Sequence, residues 1–343
     1  MKIKHWLIPV VLLLFSTGSL CGIMWWRLCR YRPFQASGNN VVYLHIWPNA
    51  TWQQVSDTLI KSFNTNIPWE LSWLLKNRSP KHPPVGAYAI SPTTTVRALH
   101  LKLSRGLQDP IRITFRSERF PSSLYNRLAQ QILADSSSIA TAMEDSLFLQ
   151  AQKLTLPSLA YYLLPNTYEV YWTVSPTELR QRLNKARLQF WNATRLEQAQ
   201  KIGLSPEEVI TLASIVQEES AQKDEYPTIA GLYLHRLRIG MLLQADPTVK
   251  YAVGDFSLRR ILNVHLSTPS PYNTYLHKGL PPTPLRIPYS YSIDGVLQAT
   301  DEGYLYMCAK EDFSGYHNFA RTYREHLQNA RKYVAELNKR NIK

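Results

Sequence analysis

Ser205-Pro206-Glu207-Glu208-Val209-Ile210-Thr211-Leu212-Ala213-Ser214-Ile215-Val216-Gln217-Glu218-Glu219-Ser220 opens with the signals of a helix start. Ser205 can cap the free amides, Pro206 suits the first helical position, and Glu208 completes a capping box. At about 100° per residue, Val209, Leu212, Ile215 and Val216 share one apolar face, and Glu219 falls in the middle of it. Glu218 falls beside Ser214 and Thr211, on the side expected to be polar. Two adjacent carboxylates are thus expected to meet different surroundings. A glutamate on a buried face is desolvated, so it holds its proton nearer neutral pH, which is what a general acid requires. A salt-bridged glutamate closing a core helix would leave the same pattern.

Upstream, residues 7–26 carry no charge over about the length that spans a bilayer. Lys2 and Lys4 precede the run, Trp25 and Trp26 suit an interface, and Arg27, Arg30 and Arg32 follow. The run is long for a signal peptide and no small-x-small cleavage site follows, so an uncleaved single-pass membrane anchor is expected. The formal charge of +14 calls for an anionic partner: head groups, nucleic acid or an acidic wall polymer. Cys21 and Cys29 lie in or beside the anchor and Cys308 stands alone, so no disulfide framework can be built. The nine histidines show no ligand spacing, and no metal or other cofactor is expected.

After a polar linker at 35–40, strand-like Val41–Ile46 and helix-like Thr51–Ile60 form one β–α unit. Gly86–Ile90 with the helix through Val96, Leu99 and Leu103 forms a second. Ile111–Phe115 with a helix from about Ser122 to Leu133 forms a third. The pattern predicts an α+β chain: a tail and anchor at 1–32, a small α+β module at 41–133, a mostly helical connection at 134–200, and a chemistry-bearing α+β domain at 201–343. In that last domain a second helix runs over Pro227–Gly240, with its cations in the last turn. Gln244–Thr248, Ser270–Tyr275 and Gly279–Pro284 are turn-rich loops whose side chains can bond or stack on sugars. Tyr304–Ala309 reads as a buried strand and Tyr323–Lys339 as a charged, solvated helix.

The runs Leu212–Ser220, His235–Met241, Gln244–Val249, Tyr272–Tyr275 and Gly279–Pro282 together resemble, in order and spacing, the MltG/YceG-type endolytic murein transglycosylases. The resemblance covers nearly everything after the anchor. It implies a single-pass inner-membrane protein with a LysM-like α+β subdomain and a YceG-like catalytic domain on the periplasmic side. Three departures stand out. Gln217-Glu218-Glu219-Ser220 replaces the family's Glu-Lys-Glu-Thr, which leaves Glu219 as the acid in register. His235 replaces an asparagine before Arg236-Leu237. Leu164-Pro165-Asn166-Thr167-Tyr168 lacks an acid that the family often carries.

The reaction so implied is non-hydrolytic cleavage of the MurNAc–GlcNAc β-1,4 bond within nascent glycan strands, ending strand elongation with 1,6-anhydroMurNAc termini. Glu219 would serve as both acid and base. Arg236, Gln244, Asp246, Tyr272, Asn273, Tyr275 and His317 would orient the glycan or support the acid; Asp246 and His317 also suit structural roles. The implied partners are peptidoglycan strands, the membrane, and peptidoglycan synthases. A hydrolase of the same glycan, using Glu218 or Asp246 to activate water, and a non-catalytic wall-binding scaffold are the rivals. Nucleic-acid binding is disfavoured, because the charge comes with an anchor and no recognised motif.

Overall fold

The computed structural model describes residues 7–34, 41–63, 68–258 and 260–340. Lys2, Lys4 and the linker at 35–40 lie outside the described residues. In chain order the elements are α1 (Leu7–Arg30), β1 (Val42–Ile46), α2 (Trp52–Phe63), α3 (Trp69–Asn77), β2 (Gly86–Ile90), α4 (Val96–Ser104) and β3 (Pro110–Thr114). There follow α5 (Pro121–Ala129), α6 (Ser136–Met143), α7 (Ser146–Ala151), β4 (Thr167–Tyr171), α8 (Pro176–Phe190) and α9 (Ala193–Ile202). The remainder is α10 (Pro206–Glu219), α11 (Tyr226–Arg238), α12 (Asp246–Val253), α13 (Asn263–Leu266), α14 (Ser290–Leu297), β5 (Tyr306–Ala309), β6 (His317–Ala320) and α15 (Tyr323–Lys339).

Two compact units form, and neither is continuous in sequence. One holds residues 1–113, 131–134 and 168–175; the other holds 114–130, 135–167 and 176–343. The 41–133 reading therefore differs from the observed division. Helix α5 belongs to the second unit, and the first regains β4, a strand inside the stretch expected to be mostly helical.

In the first unit β1 and β2 pair antiparallel, Val42 opposite Ile90 through Ile46 opposite Gly86. Alternation along β1 turns Leu44 and Ile46 inward. Beneath them α2, α3 and α4 bury Val55, Leu59, Leu71, Leu75, Leu99 and Leu103 in one core. Thr95 caps α4 by accepting from the Ala98 amide. Strands β3 and β4 form a second two-stranded sheet. Helix α1 supplies Leu12–Arg30, long and apolar enough to cross a membrane, with mean hydropathy 1.3 and none of that window buried.

The second unit is built round α10. The capping box is present: the Ser205 hydroxyl accepts from the Glu208 amide, and Glu208 accepts from the Ser205 amide. Helices α9, α11, α12 and α14 pack against α10 and bury every residue from Val209 to Val216. The side of α10 that carries Thr211 and Ser214 is polar in composition yet buried. Thr211 and Ser214 are as buried as their apolar neighbours because their hydroxyls find partners inside. The Thr211 hydroxyl donates to the Glu207 carbonyl at 3.0 Å, and Ser214 donates to the Thr211 carbonyl at 2.7 Å while accepting from the Leu285 amide at 2.9 Å. Small hydroxyls satisfied in this way cost a core little. Strands β5 and β6 form an antiparallel hairpin, Tyr306 opposite Ala320 and Ala309 opposite His317. Strand β5 is half-buried rather than buried, and α15, which packs on the hairpin, has no buried residue.

Candidate active site

Helix α10 ends on the two carboxylates, and they diverge as its geometry requires. The Glu218 Oε1 accepts from the Arg119 guanidinium at 2.8 Å and from Arg286 Nη1. Arg286 also donates to the Ser117 hydroxyl and carbonyl, both at 2.6 Å. Gln217, one residue earlier, donates to the same Ser117 hydroxyl at 2.9 Å and accepts from the Tyr289 amide at 2.8 Å. Gln217 and Glu218 thus lock the end of α10 to the segments carrying Ser117 and Arg286.

Glu219 points elsewhere. A small part of its surface reaches solvent, and Tyr233 of α11, only 1% exposed, donates its hydroxyl to Glu219 Oε1 at 2.7 Å. Burial pushes the Glu219 carboxyl up to about 7 from an ordinary 4.5, and the negative charges of Asp246 and Glu218 push the same way. The Tyr233 hydrogen bond and the Arg236 guanidinium pull against that rise. A carboxylic acid poised near neutral pH can deliver a proton and take one back.

The other expected site residues divide into two sets. Asp246 opens α12, is exposed, and accepts the Tyr275 hydroxyl at 2.7 Å; burial, then the bond to Asp246 and the Asp246 and Glu219 charges, hold up the Tyr275 phenol. Gln244 is exposed on the preceding turn, at φ 48°, with its amide donating to the Thr274 carbonyl. Asp246 and Tyr275, with Tyr233, Arg236 and Glu219, make one electrostatic cluster; no such coupling ties Gln244 to it.

The second set serves the frame. Arg236 is buried, donating to the Leu305 carbonyl at 2.7 Å and the Leu243 carbonyl at 2.6 Å. Its charge reaches Glu219, while its nitrogens bind backbone. Asn273 is fully buried; its Nδ2 donates to the Leu266 and Thr268 carbonyls, both at 2.9 Å, and its Oδ1 accepts from the Tyr275 amide. Asn273 thereby shapes the loop that carries Tyr275. Tyr272 shares a hydrogen bond with Thr283 at 2.6 Å and lies 4.7 Å from the Tyr251 ring. His317 is tied through Nδ1 at 2.9 Å, and through its amide at 2.7 Å, to Glu225. Glu225, itself buried, accepts from Ser220, the residue after Glu219.

Tyr233 and Glu225 escaped the reading of the sequence. For Tyr233 a signal existed. A phenol in Leu232-Tyr233-Leu234 of an apolar helix must find an acceptor, and Tyr233 lies three residues before Arg236 on one helical face. For Glu225 there was none, since His317 lies 92 residues away. No group of three or more His, Cys, Asp or Glu side chains among the described residues is placed to hold a metal ion.

This α+β architecture has known counterparts. The chain belongs to the YceG-like family, whose model matches residues 44–332. It is 24% identical over 326 residues to the endolytic murein transglycosylase of Bacillus subtilis (strain 168), covering 90% of this chain and 89% of that protein. To the endolytic murein transglycosylase of Streptococcus pneumoniae (strain ATCC BAA-255 / R6) it is 24% identical over 358 residues, covering 95% of this chain and 64% of that longer protein. The crystal structure of a YceG-like protein from Listeria monocytogenes superposes with a TM-score of 0.56 at 24% identity, over 85% of this chain and 99% of that one, which establishes a shared fold.

Proposed function

We propose that this protein is a membrane-anchored endolytic murein transglycosylase that uses Glu219 as its single acid and base. The observation carrying this reading is the carboxyl of Glu219, pushed up to about 7 and bonded on one oxygen by Tyr233. Protonated, Glu219 donates to the oxygen bridging MurNAc and GlcNAc, and the C1–O bond breaks as positive charge builds at C1. The C6 hydroxyl of the same MurNAc then closes on C1, giving its proton to the Glu219 carboxylate, so the acid is restored and a 1,6-anhydro end results. Because the nucleophile belongs to the substrate, proximity replaces an activated water. A hydrolase would need a second carboxylate for that water. Glu218 is committed to Arg119 and Arg286, which favours the single-acid route.

Helix α1 would anchor the chain in the cytoplasmic membrane, with the remainder on the periplasmic side. Substrate would be nascent peptidoglycan, and the synthases that extend it the natural neighbours. The basic balance of 39 Lys and Arg against 25 Asp and Glu suits an anionic wall polymer. The test is to incubate the full-length protein, in detergent, with uncrosslinked nascent glycan and read the new ends by mass spectrometry. Internal 1,6-anhydro ends, lost in Glu219→Gln, are expected. Reducing ends, or cleavage that survives Glu219→Gln, would refute the reading.

A further inference from the structure

We infer that Tyr233 is the positioning residue of the acid: its hydroxyl occupies Oε1 of Glu219 and so leaves Oε2 as the oxygen that carries and passes the proton. The inference deepens the reading of Glu219 as acid and base, and rests on it. Its ground is geometric. Tyr233 is 1% exposed, projects from the middle of α11, and meets Glu219 Oε1 at 2.7 Å. Helices α10 and α11 pack together, so neither partner is a free surface side chain. A buried phenol needs an acceptor, and Glu219 provides it.

The bond is not neutral between the two charge states. An O–H donates more strongly to a carboxylate than to a neutral carboxyl, so Tyr233 favours the ionised form that burial disfavours. The phenol is itself raised well above its ordinary value by burial and by the Glu219 charge, so it keeps its proton and acts as a donor only. Without it the acid would hold its proton too tightly to release it near neutral pH. With it, one carboxylate can protonate the leaving oxygen and then reclaim a proton from the C6 hydroxyl, on the same atom each time.

Charged groups on α10 and on the elements packed with it either act on Glu219 or are paired with one another. From α11, Arg236 favours the carboxylate. From α12, Asp246 opposes it and is itself held by Tyr275. From its own helix Glu218 opposes it, with two arginines attached. From α14, Asp294 is paired with Arg195 of α9. Glu225 and His317 pair with each other beside Ser220. Tyr233 alone among them donates a hydrogen bond to the Glu219 carboxylate.

The experiment labels glutamate at the side-chain carboxyl with carbon-13 in the full-length protein in detergent, and assigns Glu219 by the signal lost in Glu219→Gln. Its titration is followed in the parent, in Tyr233→Phe and in Asp246→Asn, alongside the pH dependence of glycan cleavage. Tyr233→Phe is expected to move the Glu219 midpoint, and the alkaline limb of kcat/KM with it, upward by about one to two pH units, the worth of a hydrogen bond to a charged group. Asp246→Asn is expected to move both downward. Amide exchange across α10 and α11 verifies that Tyr233→Phe is folded; should it not be, 3-fluorotyrosine placed at position 233 keeps the ring and makes the hydroxyl a stronger donor, so it must move the Glu219 midpoint downward, and an unmoved midpoint there overturns the inference. A Glu219 midpoint unmoved in folded Tyr233→Phe overturns the inference, whatever becomes of the rate. A midpoint that moves as expected in a protein whose parent cleaves no glycan upholds the hydrogen-bond role and refutes the proposed reaction.

Discussion

Glu219→Gln should make the protein more stable at pH 8 and leave its stability nearly unchanged near pH 4. The folded carboxyl binds its proton at about 7, against 4.5 for an ordinary glutamate, a difference of some 2.5 pH units. At about 1.36 kcal/mol per unit this corresponds to about 3 kcal/mol, and the partial exposure of the carboxylate brings it to about 2 to 3 kcal/mol. The sign follows from which state holds the proton more tightly. Here it is the folded state, so the stabilising contribution is full below pH 4.5 and is lost as pH rises through 7. Glutamine has nothing to titrate and can still accept the Tyr233 hydroxyl through its amide oxygen. Urea unfolding of parent and variant, in the same detergent at pH 4, 6 and 8, gives the difference directly. A stability difference that stays constant across this range would refute the claim that α10 presents a desolvated, protonatable acid. If stabilisation accompanies loss of cleavage, the cost of the acid to the fold is the cost of its chemistry.

Other substitutions probe the frame. In Gly231→Ala the new Cβ would lie 1.8 Å from the Thr300 carbonyl oxygen, so α11 must move; despite the better helix former, a loss of about 2 kcal/mol or more is expected in thermal unfolding. Arg236→Met removes the donors to the Leu305 and Leu243 carbonyls and should lower stability by about 2 to 4 kcal/mol, while raising the Glu219 midpoint seen by NMR. Glu218→Gln strips Arg119 and Arg286 of their shared carboxylate. It should lower stability by about 2 kcal/mol and leave the remaining products 1,6-anhydro by mass spectrometry; a rate collapse without destabilisation would instead favour Glu218 as a catalytic base.

Local rules carried the reading of the sequence a long way. The capping box at Ser205 and Glu208 and the terminal helix at Tyr323–Lys339 are where the residue pattern puts them, because caps and periodicity act over a few neighbouring residues. The helical period also separated Glu219 from Glu218, since adjacent positions on a helix must face different ways. The same rule could not tell how deeply Thr211 and Ser214 lie. Whether a polar face is solvated depends on what packs against it, and α9, α11, α12 and α14 close over α10. Likewise the strand expected to be buried at Tyr304–Ala309 is half-buried, because its hairpin has α15 for cover and α15 itself buries no residue.

What the sequence by itself determined is the α+β character, the apolar N-terminal helix, the helix ending on two acids, and which acid lies on the inward face. Tertiary structure alone decided the different partners that surround those two acids. Arg119 is 99 residues from Glu218 and Arg286 is 68, while Tyr233, which bonds Glu219, belongs to the next helix. It also decided that the two compact units are assembled from interleaved segments. The physical reason is one of range. Helix propensity, capping and periodicity are set by covalent neighbours, whereas burial, charge pairing and the proton affinity of a carboxyl are set by whatever the folded chain brings within a few ångströms.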